Sequence, residues 1–179
     1  MRLLLLLGSL LATVAMGDQH ASCYYPTTPT MTPAPTPAPT PAPLTGCALF
    51  ASYAGNNPVS LTAADASGMW ALDGTGRGVV ASTPAKLYAV GVSTNAYLIS
   101  VVGPHVVLQV ESGQIVGTTW DPSFSPLFAC ADVAGGSTIA LRIDNNYVTQ
   151  SGGKLMLEAL VGGQPSTSQQ WTIAAMSWN

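Results

Sequence analysis

The stretch Ser137–Thr172, STIALRIDNNYVTQSGGKLMLEALVGGQPSTSQQWT, decides the fold. Ile139-Ala140-Leu141-Arg142-Ile143 alternates apolar with small or polar residues at period two, the pattern of a half-buried strand. Asp144-Asn145-Asn146 supplies a turn, because Asn and Asp tolerate positive φ and hydrogen-bond their own backbone. Tyr147-Val148-Thr149-Gln150 returns as a second strand, and Ser151-Gly152-Gly153 turns into Lys154-Leu155-Met156-Leu157-Glu158. A Gly/Pro/Ser loop then leads to Gln170-Trp171-Thr172-Ile173, which closes the unit. Four short strands in about 35 residues, repeated three times, is the arithmetic of an all-β fold of the β-trefoil type.

Looser copies precede this unit. Val59-Ser60-Leu61-Thr62-Ala63 and Val106-Val107-Leu108-Gln109-Val110 align with Ile139–Ile143 as first strands, each with Leu at its third place. Met69-Trp70-Ala71-Leu72, Gln114-Ile115-Val116-Gly117 and Tyr147–Gln150 follow as second strands. The closing strands are Ala96–Ser100, Leu127–Ala131 and Gln170–Ile173, and the middle copy squeezes its third strand into Thr118–Ser125. Leu72–Pro84 reads as the longest loop. No window carries capped helical periodicity, so the expectation is a β-trefoil over 46–179, with a β-sandwich as the alternative.

Outside the repeats the chain changes character. Residues 1–17 read as a signal peptide: Arg2 forms the positive region, Leu3–Leu7 and Leu10–Val14 the apolar core, and Ala15-Met16-Gly17 the cleavage site. The apolar run is too short to span a membrane. A short mature N-terminus over 18–25 follows. Residues 26–45 are a Thr/Pro-rich linker, whose alternating prolines favour extended polyproline II over a packed state. Thr27, Thr28, Thr30, Thr32, Thr36 and Thr40 beside prolines suit O-glycosylation. Secretion leaves Cys23, Cys47 and Cys130 in an oxidising compartment, and an odd count forbids complete internal pairing. Cys47–Cys130 is the preferred disulfide, with Cys23 left for an intermolecular bond. Cys23–Cys47 is the competing arrangement.

Charge narrows the functions available. Only 7% of the 179 residues are charged, and the formal net charge is −3. The basic residues of the folded part, Arg77, Lys86, Arg142 and Lys154, are scattered rather than gathered into a stripe. Neither nucleic acid nor an anionic membrane is therefore an expected partner. No His-Glu-x-x-His, Gly-x-Ser-x-Gly or phosphate loop occurs, so the chain reads as no enzyme, with no cofactor and no metal.

Sugars are held by an aromatic face under the ring and by Asp, Asn or Gln on the hydroxyls. Three places offer both: Trp120-Asp121 in a Pro/Ser-rich loop, Asp144-Asn145-Asn146 with Tyr147, and Trp70 with Asp73. Trp120 is the strongest candidate, because polar residues and prolines surround it.

IALRIDNNYVTQSGGKLMLEA resembles the repeat of fascin-like β-trefoils, and Gln169-Gln170-Trp171 resembles the Gln-x-Trp signature of ricin-type lectins. Both resemblances imply the trefoil fold, and the second implies carbohydrate binding. The expected function is a secreted, non-catalytic module binding a glycan or cell-wall polysaccharide. The alternatives are an extracellular protein-binding module of the hydrolase-inhibitor kind, or a structural wall component assembled through Cys23.

Overall fold

The computed structural model describes residues 37–103, 106–119, 126–133 and 136–178. The signal-peptide segment, most of the linker, Cys23, Trp120 and Asp121 lie outside the described residues. Residues 37–45 are exposed and carry no helix or strand. From Gly46 the chain forms a short helix α1 (Gly46–Tyr53) and then twelve strands. The first four are β1 (Val59–Ala63), β2 (Met69–Leu72), β3 (Gly78–Ala81) and β4 (Leu87–Ser93). Next come β5 (Ala96–Val101), β6 (Val106–Glu111), β7 (Gln114–Thr119) and β8 (Phe128–Asp132). The last four are β9 (Thr138–Ile143), β10 (Asn146–Ser151), β11 (Lys154–Ala159) and β12 (Trp171–Ala175).

Six of these strands close a ring. β1 pairs with β4, β4 with β5, β5 with β8, β8 with β9, β9 with β12, and β12 with β1, every pair antiparallel. The other six form the hairpins β2–β3, β6–β7 and β10–β11. These meet one another through Lys154 opposite Val79, Met156 opposite Gln114, and Arg77 opposite Val116. All twelve strands belong to one sheet, not two facing ones, so the sandwich alternative falls.

Strand register shows how three dissimilar segments fill equivalent places. Val59 lies opposite Leu87, Tyr97 opposite Phe128, and Ile139 opposite Trp171, and all six are at most 4% exposed. Two residues further along, Leu61 faces Ile173, Ile99 faces Ala89, and Leu141 faces Cys130. Period-two alternation directs both sets inward, so the core is built in layers: in the first each pair lies within one four-strand unit, and in the second each pair joins two units. Bulk varies between the units: the Val–Leu pair is the smallest and the Ile–Trp pair includes the largest side chain.

This register corrects the sequence alignment of the middle copy. Its first strand is β5, expected to close the preceding unit, and Val106–Val110 belongs to its second strand, β6. The middle copy is not abbreviated, since β7 and β8 complete it. The difference arises in Leu72–Pro84, which is not one long loop but contains β3, with β4 following. Val79 and Val80 are only half-buried, and with Ala81 they form a three-residue run between Gly78 and Ser82, too short to announce a strand.

Gly78 shows how closely the hairpins approach. A Cβ there would lie 2.8 Å from the Ile115 carbonyl oxygen and 3.1 Å from the Leu155 Cβ. Backbone cannot swing aside as a side chain can. Gly78→Ala is therefore expected to cost about 1–3 kcal/mol by overpacking, read as a lower urea midpoint at unchanged slope.

α1 went unforeseen, as GCALFASY offers no capping side chain and no charged residue at either end. Tertiary contacts hold it instead. Phe50 is 1% exposed and meets Tyr97 edge-on at 4.9 Å. The Cys47 N–H donates to Asp132 Oδ1 at 2.7 Å, and Cys47 is disulfide-bonded to Cys130. The preferred pairing of the cysteines is thus the one formed.

Candidate functional site

The expected sugar-binding residues have different fates. Trp70, on β2, is 1% exposed and packs edge-on against Trp171 at 5.3 Å. Its ring is core, so it offers no face to a ligand; this corrects the pairing of Trp70 with Asp73. Every residue of β2 is apolar, and such a run does not reveal which side faces inward. Asp73 is exposed, but its Oδ1 accepts hydrogen bonds from the Thr75 N–H, the Thr75 hydroxyl and the Arg77 N–H. These bonds, the Thr75 hydroxyl foremost, hold its carboxyl below the usual aspartate range. One carboxylate oxygen thus organises the β2–β3 turn.

The hairpin of the third unit behaves otherwise. Ile143 pairs with Asn146, leaving Asp144-Asn145 as the turn, and Asp144 takes a φ of 52°, in the left-handed region that Asp tolerates. Register places Arg142 of β9 opposite Tyr147 of β10, and Tyr147 opposite Glu158 of β11, so all three lie in one row on one face of the sheet. Beside that row is a concavity of about 380 Å³ lined by Arg142, Asn145, Tyr147, Ala159 and Leu160. Asp144 contributes through its backbone, since its carbonyl oxygen accepts from Arg142 Nη1. Asn146 opens β10 and is exposed but does not line the cavity.

Among the described residues, no hydrogen bond uses the Asn145 side-chain amide or the Tyr147 hydroxyl. Tyr147 is half-buried and Asn145 exposed. One hollow therefore collects an aromatic ring, an amide with donor and acceptor, and a guanidinium. Asn145 and Tyr147 follow from the turn-plus-aromatic pattern. Arg142, Ala159 and Leu160 do not, because strand pairing alone brings them there.

Two other hollows have different chemistry. One, about 630 Å³, lies beside Leu72, Pro84, Val101, Val106 and the glycines Gly76 and Gly117. Among the described residues it has Asp73 and Thr83 for polar groups and no aromatic side chain. The third, about 230 Å³, sits where the hairpins meet and is lined by Arg77, Glu111 and Lys154 among others. A separate aromatic surface appears at Trp178, 54% exposed, whose ring lies 5.3 Å from Tyr88. The Trp178 indole N–H donates to the Asn56 carbonyl at 3.2 Å.

The Gln-x-Trp signature is structural in this chain. Gln169 is 4% exposed; its Nε2 donates to Thr149 Oγ1 at 3.2 Å, and its Oε1 accepts from the Ser166 N–H. Trp171 is fully buried, and its indole N–H donates to the Val148 carbonyl at 3.0 Å. These bonds tie the long loop before β12 to β10.

No protein-family model matches the chain, and no curated protein matches it. Solved structures do. A designed 3-fold symmetric protein, ThreeFoil, matches at a TM-score of 0.55 and 12% identity, over 66% of this chain and 99% of that one. Cry35Ab1 matches at 0.55 and 15% identity, over 68% of this chain and 36% of its own. The fold is β-trefoil-like. At these identities the likeness concerns fold alone, and this chain spans little more than a third of Cry35Ab1.

Proposed function

We propose that this chain is a secreted, non-catalytic β-trefoil module that binds a glycan, with Tyr147 and Asn145 at the centre of its site. The observation that carries this reading is the convergence in the third-unit hollow of an aromatic ring and an amide that has no hydrogen bond among the described residues. A pyranose stacks its apolar face on such a ring while its hydroxyls bond an amide. The low charge of the chain agrees with a hydroxyl-rich partner held mainly by hydrogen bonds. The leader-like residues 1–17, the Thr/Pro tether with its O-glycosylation pattern, and the Cys47–Cys130 disulfide all fit an extracellular or cell-wall setting. No reaction is assigned to the module.

Binding of the full chain to immobilised polysaccharides and a glycan array tests this. Tyr147→Ala is expected to weaken binding about tenfold, the worth of an aromatic stacking contact, with Asn145→Ala somewhat milder. A wild-type chain that binds no glycan, or a Tyr147→Ala variant that binds as wild type, would defeat the proposal.

A second reading has its own support. Tyr88, Val90 and Val92 alternate along β4, where Val90 and Val92 are exposed, and Trp178 lies against Tyr88. Exposed apolar groups so gathered suit an extracellular protein partner. Assembly through Cys23 belongs with this reading, since the described disulfide leaves Cys23 outside it.

A further inference from the structure

From Arg142 we infer that the sugar taken by the third-unit hollow carries an anionic group, a carboxylate or a sulfate. This inference rests on the glycan reading and refines it. Among the described residues, Arg142 is the one charged residue lining that hollow. Its Nη1 donates to the Asp144 carbonyl, which anchors the guanidinium, and among the described residues its other N–H groups make no hydrogen bond. An anchored guanidinium presents a planar fork that matches two oxygens of one carboxylate or sulfate.

Position strengthens the case. Arg142 lies opposite Tyr147 in register, so a ring stacked on the tyrosine would bring a substituent to the guanidinium. The acids nearby are accounted for. Glu158 is the next member of the row, on the far side of Tyr147, and Asp144 is exposed in the turn; neither carboxylate lines the hollow. In a domain with so few cations, placing one at the sugar site sets selectivity more than it adds general attraction.

The test compares probes that differ only in charge: oligogalacturonate against its methyl ester, and dextran sulfate against dextran. The full chain is expected to bind one acidic member at least about tenfold more tightly than its neutral partner, as a hydrogen-bonded charge pair allows. Which pair shows the preference separates carboxylate from sulfate. Arg142→Gln should abolish the preference between the acidic and neutral probes, and Arg142→Lys should restore it only in part. Arg77→Gln, which alters the hollow between the hairpins, should leave it intact. Equal binding of acidic and neutral probes would overturn the inference while the glycan reading stands. A preference that survives Arg142→Gln, or vanishes with Arg77→Gln, would overturn it too. Absence of binding to every probe would remove both.

Discussion

Cys47→Ala/Cys130→Ala should destabilise the domain by about 4 kcal/mol. The bridge joins residues separated by 83 positions, so it removes loop-closure entropy that the unfolded chain otherwise retains. It also fixes α1, which is too short to persist alone and has no capping side chain. Without the bridge, α1 is held by Phe50 in the core, by the Cys47 N–H on Asp132 and by the Gly46 N–H on the Gly136 carbonyl, and no covalent cross-link remains. Guanidinium unfolding of wild type and variant, with equal slopes, measures the difference. A melting temperature lower on the order of 15 °C should accompany it. Reduction of the wild-type protein with dithiothreitol should reproduce the shift without mutation. A variant that unfolds at the wild-type midpoint would mean that the strand ring alone sustains the fold.

Trp171→Ala is the second large effect, expected at about 3–5 kcal/mol. Trp171 is fully buried, meets Trp70 at 5.3 Å with the rings near perpendicular, and stands in register opposite Ile139. Truncation leaves a cavity in the bulkiest of the three equivalent core pairs. It also leaves the Val148 carbonyl without its indole donor. Trp171→Phe should recover much of the packing but not the hydrogen bond, so the gap between the two variants isolates the polar contribution. Urea titration followed by far-UV circular dichroism gives both values. A Trp171→Ala loss below about 1 kcal/mol would show that the layered core collapses to fill the space.

The third unit is legible in the sequence because its turns are minimal. Asp144-Asn145 and Gly152-Gly153 leave no room for an alternative register, and β9 to β11 emerge where the alternation places them. The first and middle units are harder. Their hairpin strands are short, and Val106–Val110 mimics a leading strand by carrying Leu108 at its third place. The ring position belongs instead to Ile99, whose equivalence with Leu61 and Leu141 exists only in the pairing. The site divides along the same line. An aromatic beside a turn is visible locally, whereas the guanidinium opposite it and the far wall at Leu160 come from neighbouring strands. Trp70 misled because an indole in an all-apolar strand has no polar neighbour to mark its inward face.

Closure of the six-stranded ring bears on how the protein survives at high concentration. Copies that carry a net charge of only −3 repel one another weakly, and nearly half of the residues are hydrophobic. An open sheet of that composition would invite its neighbours to add strands at the margins and grow into fibrils. Here each ring strand has a partner on both sides, so the ring offers a neighbouring copy no unpaired strand to extend.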